Sequence, residues 1–151
     1  MHTLSWHEVD FGSVILAGLT AGYVMAIAGL WAGKVPGLIA IDIPDFGRRY
    51  IVSDRPAAWL IGLLSHEINS VLLTLAWATI ILPSLPWPRH LSALAWGGFL
   101  SLGLAGSLVA PLAGLGFLAR KTGSPRYAAT SVILHLIWGL LVGSLYAPVG
   151  R

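Results

Sequence analysis

The sequence contains no cysteine. Disulfides, thiolate metal sites, iron–sulfur ligation and covalent c-type haem attachment are thereby excluded. Charge is scarce as well. Asp, Glu, Lys and Arg make up 10% of the residues, against roughly 25% in a soluble domain. So little charge cannot coat the surface of a globule in water. The formal net charge of +3 comes without any basic stripe, which argues against nucleic acid as a partner. No phosphate loop, zinc-protease motif or nucleophile elbow is present, so no motif marks the chain as an enzyme. No Lys or Arg precedes the first apolar run, in M-H-T-L-S-W-H-E-V-D; this argues against a cleaved signal peptide.

What is abundant is apolar. Hydrophobic residues make up 56% of the chain, with 18 glycines and 7 tryptophans. Glycine is common between membrane helices, and tryptophan favours the membrane interface. Four apolar runs, approximately 11–33, 57–82, 91–118 and 127–146, reach the roughly 20 residues that cross a bilayer. A spanning segment must be helical, because lipid offers the backbone no hydrogen-bond partner. None of the runs shows the residue-by-residue alternation of a barrel strand. The expected fold is all-α: one integral membrane domain over 1–151, an up-down bundle of four transmembrane helices.

The loops carry the charge. Lys34, Arg48, Arg49 and Arg55 lie in the first connection, and Arg120, Lys121 and Arg126 in the third, against Arg89 and Arg151 on the other side. By the positive-inside rule the first and third loops are cytoplasmic and both termini non-cytoplasmic. The implied location is a bacterial inner membrane, crossed several times. Trp6, Pro83, Pro86, Trp87 and Pro88 read as turns and an interfacial belt on the opposite face. The loop 34–56, apolar and then polar in L-I-A-I-D-I-P-D-F-G-R-R-Y, reads as a connector, an interfacial element or a docking surface.

Small residues recur at helical spacing: Gly18 and Gly22, Gly29 and Gly33, Gly139 and Gly143, and a third-helix stripe of Gly103, Ser107, Ala110 and Gly114. Such faces let helices approach closely. They also suit a flat ring, and the spacing does not separate the two uses.

Two histidines stand inside the spans. At about 1.5 Å per residue, His66 lies roughly 13 Å along the second run from Ala57, and His135 roughly 12 Å along the fourth from Tyr127. The two runs are parallel, so the histidines are level. Ionisable groups at membrane depth are costly and mark functional sites. Two level imidazoles suit ligation of a haem b or another tetrapyrrole such as (bacterio)chlorophyll. Ser131 is placed to hold the second nitrogen of His135, and Asn69 or Ser70 that of His66. Gly62 and Gly139 would leave room for the ring, and Met25 is a weaker alternative ligand. The plainer alternative is that no cofactor binds and both histidines are packed polar groups, bonded to each other or to Tyr23. Glu67, about 100° around the helix from His66, reads as a proton-relay or quinone-site group, a contact to a partner subunit, or a hydrogen bond to Thr20 or Tyr23. His2, His7 and His90 carry no assigned role.

G-L-T-A-G-Y-V-M-A in the first run, L-I-G-L-L-S-H-E in the second and V-I-L-H-L-I-W-G-L-L-V-G-S-L-Y in the fourth form one pattern. It resembles a domain family of small four-helix bacterial inner-membrane proteins. The pattern there is a histidine in helices two and four, followed by G-x-x-x-G and Tyr. Ser70 departs from it, standing where a glycine is expected. The resemblance implies the fold and the histidine pair, and no activity. The functional expectation is a small subunit of a respiratory or photosynthetic complex, contacting lipid and other membrane subunits, with one tetrapyrrole for electron transfer. Its alternatives are a pigment-free scaffold subunit and a small transporter or quinone-interacting protein using His66 and Glu67.

Overall fold

The computed structural model describes residues 8–51 and 53–148. The expectations for His2, Trp6, His7 and Arg151 fall outside them. Five helices and no strand occur among the described residues. Four are long and apolar enough to cross a membrane: α1 (Phe11–Trp31, prolonged by a tight turn Ala32–Lys34), α3 (Pro56–Ser84), α4 (Arg89–Leu112) and α5 (Arg126–Leu145). The fifth, α2 (Asp45–Ile51), lies in the first connection. This is the architecture of a multi-pass membrane protein.

Local chemistry starts and stops each span. Asp10 caps α1, its Oδ1 accepting from the Ser13 N–H at 2.8 Å. Pro56 opens α3, and Pro88 and Pro125 precede α4 and α5, positions where a missing N–H costs nothing. The third span ends at Leu112 rather than near 118. There the chain turns on Gly114 (φ 78°) and Gly116 (φ 73°), a left-handed backbone that glycine adopts without strain.

Two stretches widen from the usual helical turn into a π-helix: Trp77–Ile81 in α3 and Leu100–Val109 in α4. Each runs up to the residues just before a proline, Pro83 or Pro111. A proline ring collides with the carbonyl four residues back, and a wider turn moves that carbonyl aside. In α4 the Ser107 hydroxyl donates to the Leu102 carbonyl, five residues back, at 2.7 Å.

The spans pack in the order α3, α1, α5, α4. Inside a membrane, close approach of small residues replaces hydrophobic drive. Gly18 and Gly22 lie against Val71, Glu67 and Ser70 of α3, while Gly139 and Gly143 lie against Ala93 and His90 of α4. The other glycine faces serve differently from the expectation. Gly33 accommodates the connection at Ala40, and Gly29 faces the connection at Ile41 and Ile43 as well as Leu134 of α5. The stripe of Gly103, Ser107, Ala110 and Gly114 does not form the α4 contact face. Ser92, Ala93 and Gly97 do that, buried toward α5 and α3.

One end of the bundle is sealed. Trp77 is wholly buried there, donates to Ser92 at 2.9 Å and packs edge-on to Tyr146. Near mid-span Trp96 of α4 donates to the Leu73 carbonyl of α3 at 3.2 Å. Toward the opposite end the first connection folds over the bundle. Ile39 N–H donates to Thr130 at 3.1 Å, and Trp59 of α3 donates to Asp42 at 3.0 Å.

Candidate functional site: an intramembrane cleft

Between α3 and the π-helical stretch of α4 lies a cavity of about 620 Å³. Small-molecule and cofactor sites occupy roughly 300–1,000 Å³. The back wall comes from α1 (Met25) and α5 (Ser131, Leu134, His135, Trp138). One side is α3, with Gly62, His66 and Asn69; the other is α4, with Leu100, Ser101, Leu104 and Ala105. Ile41, Ile43 and Phe46 of the first connection, with Leu118 and Ala119 of the third, close its end. The mouth opens sideways. Ile61, Leu72 and Leu102 line the cavity and yet are 49%, 55% and 52% exposed.

His66 and His135 thus face one space, on separate helices. So do Met25, Gly62 and Ser131. Gly139 does not line it: a Cβ there would meet the Ala93 carbonyl, so this glycine makes room for a helix rather than a ring.

Each imidazole is oriented by a backbone carbonyl. A carbonyl can only accept, so the ring nitrogen facing it carries the proton. His135 Nδ1–H donates to the Ser131 carbonyl at 2.8 Å, one helical turn back. The Ser131 hydroxyl stands 3.5 Å from the same nitrogen and 3.1 Å from the Ser101 hydroxyl of α4. His66 Nε2–H donates to the Gly22 carbonyl of α1 at 3.1 Å. Neither Asn69 nor Ser70 holds His66. Ser70 instead links three spans, donating to the Gly18 carbonyl at 2.6 Å and accepting from Trp138 Nε1 at 2.6 Å. Tyr23 is 53% exposed and bonds neither histidine.

No family model, curated protein or solved structure matches the chain. What the cleft does is therefore read from its own side chains. Among the described residues, no three of His, Cys, Asp or Glu group together to hold a metal ion. A metal already held by four ring nitrogens needs only one or two imidazoles from the protein. The donor set fits that case at His135, whose Nε2 is free while Nδ1–H is fixed by a carbonyl. This is the usual arrangement of a metal-ligating histidine.

The contribution of the first connection is not legible from hydropathy. Of the third-helix stripe expected to leave room for a ring, Ala110 lines the cleft and Gly103, Ser107 and Gly114 do not; Ser101 lines it from the π-helical stretch. Pro111, inside an otherwise continuous apolar run, is the sequence feature beside that stretch.

Glu67 is not part of the cleft lining. It is 7% exposed and lies between α3 and α1, with one carboxyl oxygen against Gly22. Both of its oxygens lack a hydrogen-bond partner. Neither Thr20 nor Tyr23 reaches them. Replacing Glu67 by Gln is expected to leave the melting temperature in detergent unchanged or higher, because no bond is lost. A drop equivalent to more than about 1 kcal/mol, the worth of a typical hydrogen bond, would mean that the carboxyl is paired after all.

Proposed function

We propose that the protein is a small subunit of an energy-converting membrane complex, and that its cleft binds one tetrapyrrole, haem b in first place. A single observation carries this reading: two histidines from separate spans line one apolar cavity of about 620 Å³. The bound group would supply one-electron redox chemistry. The chain's part is to hold it. His135 offers a ring nitrogen, Gly62, Ser101 and Ala105 give space for a flat body, and the aliphatic walls exclude water. A low-polarity surround also tunes the redox potential of such a group. The basic first and third connections lie at the same end of the bundle and, by the positive-inside rule, face the cytoplasm of a bacterial cell, with both termini on the other side.

The test is a visible spectrum of the full-length protein in mild detergent, as purified and after loading with haemin, oxidised and dithionite-reduced. A Soret band that saturates at one haem per chain is the expected result. No band in either preparation overturns the reading, and a chlorophyll-type spectrum replaces haem by a magnesium tetrapyrrole.

A second reading is favoured by a different observation. Both imidazoles already bond a backbone carbonyl, so the N–H of each is satisfied without a ligand. In a pigment-free scaffold, His66→Ala and His135→Ala lower stability or assembly with partner helices, and the absorbance of every preparation is that of protein alone. The third expectation, transport or quinone chemistry by His66 and Glu67 together, has less support, since the two side chains face different surroundings.

A further inference from the structure

The two imidazoles of the cleft present different nitrogens. His135 spends its Nδ1 proton on Ser131 and keeps the Nε2 lone pair. His66 spends its Nε2 proton on Gly22 and keeps only Nδ1. These positions are not equivalent toward a flat macrocycle. Nε2 stands at the outer edge of the ring between two C–H groups. Nδ1 adjoins the carbon that bears the side chain, so a macrocycle brought up to it meets Cβ and the helix backbone. To present Nε2 instead, His66 would have to break its bond to α1. The sequence treats the two histidines alike; the carbonyls around them do not.

The mouth of the cleft is rimmed by apolar side chains of the membrane-length helices. Ile61, Leu72 and Leu102 rim the mouth, each about half exposed. Small apolar gases dissolve in hydrocarbon and reach such a mouth from within the bilayer.

Resting on the tetrapyrrole reading, we infer that the haem is held through His135 alone, and that one axial position stays open to a small apolar diatomic molecule. His66, tied to α1, is a neighbouring polar group and not a ligand. A subunit of this kind senses or carries a gas in addition to, or in place of, passing electrons.

Carbon monoxide is the probe. The reduced, haemin-loaded full-length protein is expected to shift its Soret band on exposure to CO. His66→Ala is expected to keep both the band and the shift. His135→Gly is expected to lose the band and to regain it on addition of free imidazole, which separates loss of a ligand from loss of the fold. A six-coordinate spectrum that does not respond to CO and disappears in either histidine variant overturns this inference while leaving the tetrapyrrole reading intact. Retention of the band in His135→Gly without imidazole also overturns it. Absence of a Soret band in every preparation overturns both.

Discussion

Gly97→Ala is expected to destabilise the bundle where Gly98→Ala does not. A Cβ on Gly97 would fall on the His135 carbonyl oxygen, with the Gly139 Cα at 3.5 Å. From the other side, a Cβ on Gly139 would fall on the Ala93 carbonyl, with the Leu94 Cα at 3.2 Å. Backbone meets backbone at this crossing, so no rotamer change relieves the overlap and the helices must separate. Overpacking of this kind costs about 1–3 kcal/mol for a methyl group and more for Val. Gly98 is one residue away, and its Cβ would meet only the Leu136 Cδ2 at 3.9 Å. There the helix propensity of Ala, better than Gly by about 1 kcal/mol, is free to act. Unfolding in detergent followed by circular dichroism distinguishes the pair. Equal midpoints for the two variants would mean that α4 and α5 are not in backbone contact. The carbonyl displaced by Gly97→Ala belongs to His135 itself, so any ligand spectrum of the cleft should change with it.

Trp138→Ala is the second large expected loss. The indole is 3% exposed, forms part of the cleft wall and belongs to the main core cluster. It donates to Ser70, which donates in turn to Gly18, so α5, α3 and α1 are joined through one hydroxyl. Truncation of a buried Trp costs about 3–5 kcal/mol. Hydrogen bonds between membrane helices average about 0.6 kcal/mol and reach about 1.7. Packing is therefore the larger part, and Trp138→Phe should recover most of the loss. The remainder should be non-additive with Ser70→Ala, because contacting residues in one network couple. Strict additivity in that double-mutant cycle would show that the hydroxyl and the indole act independently.

Several elements are legible in the chain alone. The four spans follow from run length and from the rule that lipid gives the backbone no partner, and the structure contains them. The equal depth of His66 and His135 follows from counting residues along parallel helices, and both line one cavity. Met25 of α1 and Val109 and Ala110 of α4 line it too. The GxxxG pairs at Gly18 and Gly139 read correctly as close-packing faces. Others do not read so simply. Gly29 receives the Ile41 N–H on its carbonyl at 2.9 Å, and Gly114 turns the chain, so the same residue type serves as loop platform and as hinge.

Run length, backbone satisfaction and residue rise are properties of one helix in one solvent, and sequence alone determined them: the all-helical class, the number of membrane-length helices and the shared depth of two imidazoles. Which way each helix faces is a property of pairs. α1 and α5 are apolar on nearly every side, so their hydropathy does not choose a rotation; close contacts at Gly22, Gly97 and Gly139 do. The tertiary structure therefore decided that Gly139 faces a helix, that α4 widens along the cleft, and that the mouth lies between α3 and α4. It also decided which nitrogen each histidine has to spare. A hydrogen bond to a carbonyl on a neighbouring span, or to the preceding turn of the same one, settles that in three dimensions and leaves no mark in the order of residues.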